Sequence, residues 1–453
     1  MSGYTAAGWE GVRTAFERNF GEGRESGAQL SVYVKGRLVV DLVGGEGKLW
    51  GRKHEEKQAI KSEDRIPIFS CSKVLESLTI ALAVSRGYLR YDESITKYWP
   101  KFGKHGKDKI TVAQLMRHQA GLPILKSEIT LTMAQPGGEA ELDEMIEDSR
   151  PAYEIDAGDD GTWPRQVYHA ITRGTIASAL LRKVDPKQRD ITSFFREEII
   201  DGPIGFNISL GGDTRPTSSS SRLMSMDEHM NFHLQIYKQL VQLPLALVPH
   251  TVREKLFGEF EALLPFEYEA FWSWAMQAWR EVNIPLWTQS LRALKHPHKH
   301  SIGALSNDPL FISASSIPSA NGAASARSLA LLGTALAGDG TIRAADGHVH
   351  RILTESDLKA ALEPGPKSIE EFLSYNISFT AAGFGVDRFG VKGQDIKGPF
   401  MGWAGVSGSL FQFSPRLEIS VAYLPTFPYV RVHKPTGVAI MRAILKASAG
   451  ASE

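Results

Sequence analysis

The sequence predicts an α/β (α+β) fold: an antiparallel sheet built from both chain ends, flanked by helices, with a mostly helical inserted region. Three observations predict it. Strand-like runs bracket turn residues near each end, helical periodicity fills the middle, and residues 223–310 change character to aromatics broken by prolines.

Trp9, Val12, Phe16 and Phe20 recur at helical spacing, giving an amphipathic first helix that stops near Gly21-Glu22-Gly23. Residues 29–34 and 38–43 surround Lys35-Gly36-Arg37, which makes a hairpin ended by Gly44 and Gly45. Residues 66–69 are a short apolar approach, and residues 73–86 read as a buried helix. Ser70 therefore sits where extended chain feeds a helix start, beside unpaired N–H groups. Residues 110–150 alternate short helices with loops, Gly121-Leu122-Pro123 marks a turn, and helix signals resume after Tyr168. Residues 211–222 look like an exposed serine-rich loop. The aromatic stretch that follows, with Phe271, Trp272, Trp274, Trp279 and Trp287, is a helical insertion. Three readings of it stay open: a lid over a pocket, a packed subdomain or an oligomer contact. Residues 325–337 form a helix capped by Gly338-Asp339-Gly340. Residues 409–413 and 419–424 flank Ser414-Pro415-Arg416 as a second hairpin, and a helix over 432–447 closes the chain. The predicted domains are a sheet domain (1–70 with 311–453), a helical region bearing the catalytic helix (71–222) and the insertion (223–310).

At 453 residues the chain suggests two or three folding units. With 42% hydrophobic residues it needs neither metal nor disulfide to build a core. Its 51 basic and 51 acidic residues cancel, leaving no electrostatic footprint for nucleic acid or an anionic membrane. Cys71 is the sole cysteine, which excludes an intrachain disulfide. Residues 1–26 are polar and charged, without a signal-peptide core. The longest apolar runs, 80–84 and 243–248, fall far short of the ~20 residues that cross a bilayer. A cytoplasmic setting is expected, with homo-oligomerisation left open.

The chemistry centres on Ser70-Cys71-Ser72-Lys73, an S-x-x-K tetrad on the first turn of a helix. That spacing puts the hydroxyl and the amine on one face, close enough to touch. A serine hydroxyl needs a neighbouring base, and a lysine becomes one when burial lowers its pKa. Leu75, Leu78, Ile80, Ala81, Leu82 and Val84 make the helix around Lys73 mostly apolar, so its amine needs partners. Tyr168 stands at a loop-to-helix transition, where a phenol hydrogen-bonded to Lys73 shares the Ser70 proton and passes it to a leaving group. The small residues of Gly402-Trp403-Ala404-Gly405-Val406-Ser407-Gly408-Ser409 let backbone approach a ligand closely, as an oxyanion-binding edge requires.

Together these residues resemble the serine β-lactamase and penicillin-binding-protein-like superfamily, particularly class C β-lactamase-related esterases and eukaryotic β-lactamase-domain proteins. Besides Ser70 and Lys73, the resemblance rests on Gly87-Tyr88-Leu89, Tyr91-Asp92-Glu93-Ser94-Ile95 and Tyr98-Trp99-Pro100. It continues through Ile110-Thr111-Val112-Ala113-Gln114-Leu115-Met116-Arg117-His118-Gln119-Ala120-Gly121-Leu122-Pro123, Tyr168-His169-Ala170, Pro318-Ser319-Ala320-Asn321-Gly322 and Ala326-Arg327-Ser328. It spans residues 25–445 apart from the insertion. The resemblance implies a serine β-lactamase-like fold with Ser70 as acylated nucleophile, Lys73 as base and Tyr168 as the tyrosine of a Y-x-N element. It also implies that Trp403-Ala404-Gly405 replaces a K-T-G triplet at the substrate, and that the N–H groups of Ser70 and Val406 form the oxyanion hole.

Two departures bear on substrate. The asparagine of Y-x-N is Ala170 and the lysine of K-T-G is Trp403, so the polar groups that hold an antibiotic's amide and carboxylate are gone. The expected activity is hydrolysis of small carboxylic esters through a Ser70 acyl-enzyme, without cofactor or metal. A β-lactamase or D-amino-acid peptidase, an acyltransferase, and a non-catalytic scaffold or filament-forming protein are the rival readings. His296, His298 and His300 read as an exposed basic loop rather than a metal site. Cys71 is expected to pack in the core and His118 to stabilise the fold. His169, read as helical, is expected to face away from its neighbour Tyr168.

Overall fold

Two residues turn the first hairpin. Lys35 and Gly36 both take positive φ (49° and 72°), the geometry a two-residue loop needs to match the twist of its strands. They join β2 (Gly27–Val34) to β3 (Arg37–Gly47), as the sequence predicts. At the other end of the chain β7 (Leu410–Ser414) and β8 (Ile419–Pro425) form the second predicted hairpin. β8 pairs antiparallel with β2, Val421 opposite Val32. All seven residues of β8 are buried, which fits a central strand covered on both faces.

The computed structural model describes residues 1–51, 56–153, 155, 165–212, 221–226, 293–295, 305–344, 347–366, 378–387, 400–426 and 435–450. Among these, the main sheet runs β1-β3-β2-β8-β7-β6-β5-β4. β1 is Ser2–Thr5, β4 Ser378–Phe379, β5 Gly385–Asp387 and β6 Phe400–Ala404. Gln58–Ala59 adds a short ninth strand to β3. The antiparallel sheet from both chain ends is thus present. β1 is a strand the sequence reading lacks: Ser-Gly-Tyr-Thr shows no apolar alternation, and only its pairing with β3 makes it extended.

Strand alternation divides the core. On one face α1 (Glu10–Gly21) and α6 (Pro435–Gly450) cover the sheet, with Trp9, Val12 and Phe16 meeting Val421, Tyr423 and Ile444. On the other, α5 (Ala326–Ala337) lies across β2, β7 and β8, and the helical layer follows. That layer contains α2 (Ser72–Ser85), α3 (Val112–Met116) and α4 (Thr172–Val184). Every residue of α2 from Ser72 to Ala83 is buried, so this helix is core on all sides.

Residues 227–292 and 296–304 lie outside the described residues, and with them most of the predicted aromatic insertion and His296, His298 and His300. Near its end, Leu294–Lys295 pairs in parallel with Ile129–Thr130. Among the described residues no helix is long and apolar enough to cross a membrane.

Candidate active site

Ser70 is presented by a sharp bend. Ile66–Pro67 is strand, paired with Ala323–Ala324, and Phe69 then takes a left-handed φ of 47° before a single turn (Phe69–Cys71) leads into α2. A side-chain-bearing residue is disfavoured in that conformation, so packing must hold the bend. The holding contacts are visible: Ile68 N–H donates to Gly322 O (2.9 Å), Gly322 N–H to Ser72 Oγ (3.0 Å), and Ser409 Oγ to Ile68 O (3.0 Å). Ser70 is left half-buried at the mouth of an otherwise buried helix.

Tyr168, just before α4, donates its phenol proton to Ser70 Oγ at 2.9 Å. Lys73 is 1% exposed and donates to the Ala170 carbonyl (2.6 Å) and the Ser319 carbonyl (3.0 Å). Its Nζ also lies 4.9 Å from the centre of the Tyr168 ring. Desolvation pushes the Lys73 pKa well below the ordinary lysine value. Glu76 raises it and Arg173 lowers it further. The three predicted side chains thus converge, with one correction. The phenol bonds to Ser70 rather than to Lys73, and Lys73 bonds to two carbonyls rather than to Ser70. A buried amine settles where acceptors satisfy it, and backbone carbonyls cannot be seen in side-chain spacing.

Sequence reasoning missed the charge pair beneath. Arg173 and Glu76 are fully buried and joined at 2.6 Å (Nε to Oε1). The other Arg173 donors reach the carbonyls of Met116 (3.1 Å), Gly383 (3.0 Å) and Lys73 (2.8 Å) and Ser77 Oγ (3.3 Å). Ser319 Oγ closes the network on Glu76 Oε2 at 2.6 Å. Its signal was present, since Glu76 follows Lys73 by one helical turn inside an apolar run. Its partner, 97 residues away, was not legible.

Trp403 stacks on Tyr168 (5.6 Å, 17°) and on Phe379 (5.2 Å, 28°), walling the site with rings. Ala404, expected beside the substrate, turns its methyl into the opposite core with Leu410 and Tyr423, because successive residues of a strand face opposite ways. Gly405 closes the strand end. A β-carbon there would lie 2.6 Å from Ile68 O and 2.2 Å from Ser409 Oγ, so only glycine lets this turn sit against the bend before Ser70. Val406 follows in the turn, and among the described residues its N–H has no acceptor. Cys71 packs below as expected, its sulfur near Trp403 O (3.4 Å) and Ser409 O (3.5 Å), and burial pushes its pKa up to about 12.

His118 and His169 are both fully buried. The sequence reading placed His169 on a helix, but it precedes α4 in irregular chain. Its Nδ1 pairs with Val167 O (2.6 Å) and its Nε2 accepts from Leu122 N–H (3.0 Å), which aims the ring at the 118–122 loop. Among the described residues no cluster of three or more His, Cys, Asp or Glu could hold a metal ion.

Comparison with known proteins identifies relatives and shared folds. The esterase/β-lactamase LipL of Mycobacterium tuberculosis is 31% identical over 220 residues, 48% of this chain and 47% of LipL, so the chain spans about half the length of that curated relative. A penicillin-binding-protein homologue from Caulobacter crescentus is 25% identical with a TM-score of 0.71, covering 98% of this chain and 99% of its own. EstA from Arthrobacter nitroguajacolicus (22% identity, TM-score 0.72, all of both chains) shares the fold. So does a family VIII carboxylesterase (21%, 0.68, 98% of this chain and 99% of its own). The family profile described as Beta-lactamase matches residues 12–440, and the chain belongs to the Beta-lactamase family.

Proposed function

We propose that the protein is a serine hydrolase that cleaves small carboxylic esters by two-step acyl transfer. The observation that carries this reading is the convergence of a Tyr168-bonded Ser70 hydroxyl with a buried, pKa-depressed Lys73. A neutral lysine amine has two N–H donors and one lone pair. The carbonyls of Ala170 and Ser319 use the two donors, leaving the lone pair to accept a proton. Rotation of the Ser70 side chain between staggered positions exchanges its phenol partner for that amine. Lys73 then takes the hydroxyl proton as Oγ attacks the ester carbonyl, and the ammonium formed faces the Tyr168 ring. The tetrahedral oxyanion meets the N–H groups of Ser70 and Val406, a contribution of about 3 kcal/mol per donor. As the intermediate collapses, the Tyr168 hydroxyl gives its proton to the departing alcohol oxygen and is reprotonated from Lys73. Water then releases the acid by the reverse path.

The ring wall of Trp403 and Phe379 and the methyl of Ala170 favour a neutral acyl group over one bearing a carboxylate. No cofactor enters the scheme, and a cytoplasmic setting belongs to the same proposal. A paired assay of wild type and Ser70→Ala tests it, with short-chain p-nitrophenyl esters and, separately, a chromogenic cephalosporin. Ester turnover that vanishes with Ser70, with weak or absent cephalosporin cleavage, is the expected outcome. Cephalosporin turnover exceeding ester turnover would move the assignment to a β-lactamase.

A further inference from the structure

α3 ends with His118 N–H donating to Leu115 O (3.1 Å) and Gln119 N–H to Gln114 O (2.8 Å). That pair of bonds defines a Schellman motif, in which the residue after the C-cap Arg117 takes left-handed backbone. Here that residue is His118, at a φ of 62°. Glycine or asparagine is the usual occupant, since a larger side chain is disfavoured there. A histidine kept in this conformation and fully buried points to work done by its ring.

Its hydrogen bonds name that work. The His118 carbonyl accepts the N–H of Val167 (3.2 Å), and His118 Nδ1 accepts the N–H of His169 (3.0 Å). One residue therefore holds the backbone N–H groups of both neighbours of Tyr168. The His118 ring also lies 5.1 Å from the Tyr168 ring, with Phe379 at 5.0 Å and Trp403 at 5.8 Å on the same imidazole. Because Nδ1 accepts, the proton of the neutral ring is on Nε2. Burial, reinforced by Arg173, keeps His118 neutral and Nδ1 an acceptor.

We propose that His118 is the positioning residue for Tyr168: its carbonyl and Nδ1 clamp the N–H groups of Val167 and His169 and its ring backs the phenol, holding Oη on Ser70 Oγ. The proposal rests on the reading of Tyr168 as a proton-transfer group. It is tested by kcat and KM for p-nitrophenyl butyrate in full-length wild type, His118→Leu, His118→Asn, Tyr168→Phe and the Tyr168→Phe/His118→Leu double variant. His118→Leu should lower kcat by about 100-fold, the cost of displacing a reacting group by ~1 Å, with KM changed by less than about two-fold. His118→Asn should recover most of that loss, since its Oδ1 stands near the place of Nδ1 and asparagine tolerates left-handed backbone. The double variant should be no slower than Tyr168→Phe alone, as expected of residues acting as a unit. A folded His118→Leu with wild-type kcat, an Asn variant no better than Leu, or losses that multiply in the double variant would each overturn the proposal. If His118→Leu does not fold, His118→Gln replaces it, with its acceptor one bond further out; a Gln variant as active as Asn then overturns it. Tyr168→Phe at the wild-type rate sinks the proton-transfer reading itself, whereas an inactive Tyr168→Phe beside an active His118→Leu sinks only the clamp.

Discussion

An amine inside a dry core is easier to deprotonate than one in water, and burial makes Lys73 such a group even though two carbonyls accept from it. In the proposed mechanism only its neutral form accepts the Ser70 proton. Ester turnover is therefore present above the folded-state pKa of Lys73 and is lost as pH falls through it. Because that pKa lies well below the ordinary value, the acid limb of kcat/KM falls far below the titration range of a free lysine. Stability follows the same sign: the unfolded lysine binds a proton that the folded one refuses, so Lys73 burial costs more as pH drops between the two values. Glu76 raises the Lys73 pKa, so Glu76→Gln should shift the limb to lower pH in a kcat/KM profile. An unmoved limb would take Glu76 out of electrostatic contact with the base. The proposed preference for neutral esters rests on Trp403 as well. Trp403→Lys should raise kcat/KM for carboxylate-bearing esters relative to neutral ones, at a cost approaching the about 3–5 kcal/mol of removing a buried ring. An unchanged preference would place Trp403 outside the substrate's reach.

At the scale of elements, Arg173 on α4 is tied by all five of its N–H groups to α2, the end of α3 and the chain between β4 and β5. Removing it strands the Glu76 carboxylate in the core. Arg173→Met should cost about 3–5 kcal/mol in urea unfolding, and adding Glu76→Leu should return much of that loss. A double variant no more stable than Arg173→Met would mean the arginine acts through its carbonyl contacts instead. These ties explain what the sequence could and could not disclose. The S-x-x-K spacing, the apolar run of α2 and the tyrosine ahead of α4 are local patterns; α2 formed where periodicity placed it, and α4 began at Thr172, after His169. The carbonyls of Ala170 and Ser319 are backbone atoms brought in by tertiary packing, and side-chain patterns do not encode them. The left-handed Phe69 and His118 carry no signal either, because glycine and asparagine are the residues that announce such turns.

Across the whole molecule the site depends on the sheet closing from both ends. β2 and β8 pair at its centre, and β6, from the C-terminal part, runs into the Gly405 turn that lies against the bend before Ser70. Both hairpins were legible because apolar runs on either side of turn residues flagged them, β-branched in the first, and the resemblance in motif order supplied how they join. β1 was illegible because its extension comes from β3, not from its own residues. The same closure brings Ser70, Lys73, Tyr168 and the Gly405 turn together, and the acyl-enzyme is the intermediate at the centre of the proposed function. Intact-protein mass spectrometry of an acid-quenched reaction with a p-nitrophenyl ester reads it directly. The prediction is a mass gain of one acyl group, mapped by peptide analysis to Ser70 and absent from Ser70→Ala. Ester turnover with no acyl group on Ser70, or an equal adduct on the Ser70→Ala protein, would contradict it.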